Sequence, residues 1–93
     1  MDDFNKLGGF IGSYWHMDTE STESGLQDVY REMNTSAIEE MVDIIDNFLN
    51  REDLDDQEKS TLIREWTDMY YPLQPLEWLR IICTELKKYV DKL

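Results

Sequence analysis

The chain has 93 residues, 21 Asp and Glu against nine Lys and Arg, and a formal net charge of −12. A field of that sign repels nucleic acid and anionic membrane surfaces, which sets both aside as direct partners. It attracts basic proteins, although the same acidity also serves plain solubility.

The length suits one domain spanning residues 1–93, with a core that needs no covalent staple. Three Trp, five Tyr and three Phe supply much of that core. The charge is uneven: residues 7–58 hold fourteen acids and only two bases, Arg31 and Arg51. A lone Cys83 excludes an internal disulfide. The opening MDDFNKLGG lacks a basic, then apolar, leader pattern, and no apolar run approaches a membrane span. These features predict a cytoplasmic protein.

The first helix is expected over residues 3–15, with Phe4, Leu7, Phe10, Ile11, Tyr14 and Trp15 on one face. Gly8, Gly9 and Gly12 share a neighbouring face. Each costs a helix roughly 1 kcal/mol relative to Ala, unless a second backbone uses the space. Residues 16–24, HMDTESTES, read as a loop. A second helix over 22–33 carries Leu26, Val29, Tyr30 and Met33, with Thr22 or Ser24 as its N-cap.

Residues 36–50, SAIEEMVDIIDNFLN, form the most strongly two-faced segment. Ile38, Met41, Val42, Ile45, Phe48 and Leu49 fall on one side, with Ile44 at the margin. Glu39, Glu40, Asp43, Asp46 and Asn50 fall on the other, with no Lys or Arg in the segment. Thr35 or Ser36 is the expected cap, and Ser36 with Glu39 fits a capping box. After a polar connection, Asp55 with Glu58 signals a fourth helix over 56–70. Its stripe is Leu62, Ile63, Trp66, Met69 and Tyr70, and Pro72 stops it. Pro75 opens a fifth helix over 75–91, whose stripe runs through Trp78, Leu79, Ile82, Cys83 and Leu86. Ile81 lies off that stripe. The fold expected is all-α, a compact bundle of about five amphipathic helices.

No catalytic, cofactor or metal site is expected. Zinc lacks ligands, because the one His and the one Cys stand 67 residues apart. A calcium loop started at Asp53 would place Glu58 at its glycine position and Arg64 at its closing glutamate position. Cys83 sits on an apolar stripe, as a small core residue does. LGGFIG lacks both the preceding strand and the Lys of a phosphate loop. His16 and Asp18 form a polar pair that orders a turn or meets a partner. Tyr70 and Tyr71 read as core lids or as aromatic interface anchors.

The run Phe10-Ile11-Gly12-Ser13-Tyr14-Trp15-His16-Met17-Asp18 resembles the opening signature of CdiI immunity proteins of bacterial contact-dependent growth inhibition systems. The long acidic helix ending in Phe48-Leu49 and the closing Glu77-Trp78-Leu79-Arg80 extend the resemblance over about residues 4–86. Thr19 departs from the aromatic residue that often follows the Asp in that family. The resemblance implies a non-enzymatic, all-α binder of a cognate toxin domain, the C-terminal domain of a large secreted effector, in a 1:1 complex. Such toxins are frequently nucleases. Charge and helical phase nominate Glu39, Asp43 and Asp46 of the third helix, with Glu20 and Glu23 of the loop before the second, as partner-binding residues. Tyr71 is added as an aromatic anchor. The alternative is a small acidic helical regulator or nucleic-acid mimic that binds a different basic protein.

Overall fold

The computed structural model describes residues 3–15, 21–67 and 74–92. These form five helices and no strand: α1 Asp3–Tyr14, α2 Thr22–Glu32, α3 Thr35–Leu49, α4 Asp56–Trp66 and α5 Pro75–Asp91. The most extensive helix contact is between α3 and α5, and α1 and α5 each touch the other three helices. The expected all-α bundle is therefore what forms.

The core is built from the stripes that the periodicity selects. Ile38, Met41, Val42, Ile45 and Phe48 of α3 meet Trp78, Leu79, Ile82, Cys83 and Leu86 of α5 in one buried cluster. Each fully buried aliphatic side chain contributes about 1.5–3 kcal/mol relative to leaving it in water. Ile44, marginal by helical phase, is 5% exposed. It shares a small recess with Phe4 and Leu7 of α1, so a second helix widens the buried face of α3.

Two of the first helix's glycines have a packing reason. A Cβ on Gly8 would lie 2.7 Å from Nε1 of Trp66, and one on Gly12 would lie 3.1 Å from the Trp66 carbonyl oxygen. Gly9 has nothing within 4 Å and brings no such gain. The Trp66 ring also packs with Phe4 and Phe48 at centroid distances of 6.1 and 5.4 Å, which ties α1, α3 and α4 together.

A second tie gathers the start of α2. The indole N–H of Trp78 donates to the Thr22 hydroxyl at 2.8 Å, and that of Trp15 donates to the Thr22 carbonyl at 3.1 Å. The two indoles meet edge to face with centroids 5.5 Å apart. Gly25 closes this corner, since a Cβ there would fall 2.4 Å from Nε1 of Trp15.

Helix ends follow capping chemistry with two corrections. Asp55 and Glu58 form the expected reciprocal box, at 2.8 and 3.0 Å. The third helix is capped by Asn34, whose side chain accepts from the Ala37 amide at 2.8 Å. The expected Thr35 or Ser36 cap is displaced because Asn34 is an equally strong cap one residue earlier. The second helix is capped by Ser21, which accepts from the Ser24 amide at 3.1 Å. Thr22 thus begins the helix and receives the two indoles.

Candidate partner-binding site

The outward side of α3 carries Glu39, Glu40 and Asp43, all exposed, with Asp46 half-buried. Within α3 this strip has no base, but the fold brings two bases to it. Lys6 of α1 pairs with Glu40 at 2.9 Å. Lys87 of α5 pairs with Asp46 at 3.2 Å. Glu39 and Asp43 make no ion pair among the described residues.

These two carboxylates line an open groove of about 420 Å³ between α3 and α5, together with Val42, Lys87, Val90 and Asp91. Val42 and Val90 form an apolar floor. Asp91 adds a third acid from α5. Its part was missed in the sequence, although it follows Lys87 by one helical turn on the same face.

Asp46 has a different role from its two neighbours. It accepts from the Cys83 thiol at 3.4 Å as well as from Lys87. Burial first, and then this carboxylate, push the Cys83 thiol up to about 11. The same carboxylate raises the Lys87 ammonium above its ordinary value, chiefly through the hydrogen bond between them. Asp46 therefore bridges α3 to α5, and its charge is largely answered within the protein.

Glu23 stands elsewhere. It lies in the first turn of α2, not in the preceding loop, where a carboxylate suits the helix dipole. It lines a second groove, between α2 and α5, with Leu26, Tyr30, Ile81 and Glu85. Ile81 and Glu85 occupy a different face of α5 from Lys87, Val90 and Asp91. The four nominated acids among the described residues therefore do not form one patch. Glu20 and Tyr71 lie outside the described residues, as do His16, Asp18, Met69 and Tyr70.

Among the described residues no buried side-chain nitrogen or oxygen lacks a hydrogen-bond partner. Nor do any three His, Cys, Asp or Glu converge to hold a metal. No described helix is long and apolar enough to cross a membrane.

The described residues define a class: small, acidic, all-α domains of five helices. The chain belongs to the CdiI immunity protein family, whose sequence profile matches residues 3–86. The match spans the five helices to Leu86, and the resemblance drawn from residues 10–18 and 77–80 holds. Neither the curated proteins nor the solved structures provide a match. Family membership brings toxin neutralisation as the class of function, with a cognate toxin of contact-dependent growth inhibition as the partner class.

Proposed function

We propose that this protein is the cytoplasmic, stoichiometric inhibitor of one toxin domain carried at the C-terminal end of a large secreted effector. It acts as a single folded unit, in a 1:1 complex, and catalyses nothing. The toxin class that fits best is a nuclease. A nuclease holds phosphates on a basic surface, and a carboxylate-lined protein competes for that surface without touching nucleic acid.

The observation that carries this reading is the pair Glu39 and Asp43. Both are exposed on α3, both lack an ion-pair partner among the described residues, and both border the same apolar-floored groove. Exposed carboxylates of this kind steer a basic partner and speed its capture.

Co-expression with its cognate toxin domain tests the function. Protection of growth and recovery of a 1:1 complex are expected, whereas no protection and no complex overturn the reading. The double variant Glu39→Lys/Asp43→Lys tests the surface. Its association rate should fall and lose most of its salt dependence. An unchanged rate at low and high salt removes α3 from the interface. Binding to a basic host protein with no protection from the toxin would instead identify a regulator.

A further inference from the structure

The α2–α5 groove joins two features that the α3 strip does not use. Ile81 is the one large hydrophobic residue exposed among the described residues, at 48%. The half-buried Tyr30 and the buried Leu26 of α2 line the same groove of about 400 Å³. Carboxylates stand on both rims, Glu23 from α2 and Glu85 from α5. Glu23 has no ion pair among the described residues. Glu85 has only the exposed Lys88, at 3.5 Å, which a better-placed cation displaces.

The floor is pre-formed. Tyr30 stacks on Tyr89 with centroids 4.0 Å apart and planes 7° from parallel. Its hydroxyl donates to the Glu85 carbonyl oxygen at 3.5 Å. A partner entering this groove therefore has little ordering left to impose, which favours affinity. An apolar centre within a charged rim is also the common anatomy of a protein interface.

Charge selects the occupant. A second copy of this chain would bring the same glutamates, and a net charge of −12, against themselves. An anionic membrane surface is repelled for the same reason. A basic protein face is attracted. We propose that the α2–α5 groove seats an apolar side chain of a basic protein, flanked by Lys or Arg that reach Glu23 and Glu85. On the reading above, that protein is the toxin domain, so the inhibitor grips it on this groove as well as along α3.

The test uses the full chain and the purified toxin domain, made catalytically inactive. Dissociation constants are measured for wild type, Ile81→Asp and Glu23→Lys. Ile81→Asp should weaken binding by at least about tenfold, mostly through faster dissociation. Glu23→Lys should mainly slow association. Ile81 is exposed, so Ile81→Asp should melt near wild type. Glu23→Lys sets a cation in the first turn of α2 and should melt somewhat lower, so its binding is measured well below that temperature. Should Ile81→Asp melt early, Ile81→Ala gives the same readout with a smaller loss. Wild-type binding with both variants within twofold overturns this inference and leaves the proposed function standing. No binding by wild type overturns both. A dimer in solution that Ile81→Asp dissolves would assign the groove to a second copy and overturn the inference as well.

Discussion

The ammonium of Lys59 lies 2.8 Å from the carbonyl oxygen of Leu49, and Lys59 is only 5% exposed. A cation on α4 thus satisfies a carbonyl in the last turn of α3, where the helix dipole favours positive charge. Lys59→Met keeps the aliphatic stem and removes the donor. The unpaired carbonyl should cost about 1–3 kcal/mol. At roughly 4–8 °C per kcal/mol for a domain of this size, thermal melting followed by circular dichroism resolves the loss. Lys59→Arg should retain part of the stability, because it restores a cation near the same carbonyl.

The glycines divide into two classes. Gly25→Ala places a methyl 2.4 Å from Nε1 of Trp15 and 2.7 Å from the Tyr14 carbonyl oxygen. Backbone must move there, so a loss of about 1–3 kcal/mol is expected. Gly9 faces open space, and Gly9→Ala should stabilise by about 0.5–1 kcal/mol through helix propensity alone. Chemical denaturation of the two variants should move the midpoint in opposite directions.

Asp43 and Asp46 should separate binding from folding. Asp43 has no ion-pair partner among the described residues, whereas Asp46 holds Lys87 at 3.2 Å and Cys83 at 3.4 Å. Asp46→Lys sets a cation against Lys87 and takes from the thiol the nearer of its two acceptors, leaving the Val42 carbonyl at 4.0 Å. Its melting temperature should fall clearly below that of Asp43→Lys, which stays near wild type. The reverse order would mean that the α3–α5 bridge is not a stabilising contact.

Cys83 gives a dependence on pH. Its thiol titrates near 9.0 when free and is raised to about 11 in the folded protein. The folded state therefore keeps the proton longer than the unfolded state. The thiol's contribution is fully present below pH 9 and is lost as pH rises towards about 11. Wild type should exceed Cys83→Ala in melting temperature at neutral pH, and the gap should narrow across that window. At pH 8 the native thiol should react slowly with a disulfide reagent and rapidly once the protein is denatured.

The helices and their buried faces were legible because each stripe repeats with helical period and each stretch between them carries turn chemistry. Less legible was anything decided by a neighbour. Asn34, Thr35 and Ser36 all cap well, and local chemistry alone does not choose among them. Lys59 reads as an ordinary surface lysine until the end of α3 is set beside it. The acid strip has no base in its own segment, yet Lys6 and Lys87 reach it from helices 34 and 41 residues away. For the same reason Glu23, grouped by charge with Glu39 and Asp43, lies on a different groove. Family resemblance was readable from Phe10, Trp15 and Trp78, although these residues are core and say nothing of where a toxin touches.

The corner at Thr22 has a spectroscopic consequence. Two of the three tryptophans donate their indole N–H to this one residue, and the next residue, Glu23, lines the α2–α5 groove. Indole emission shifts when its N–H partner or its shielding from water changes. A ligand that pulls on the first turn of α2 is therefore reported from inside the protein, with no attached dye. Titrations of Trp15→Phe and Trp78→Phe would show which ring carries the signal.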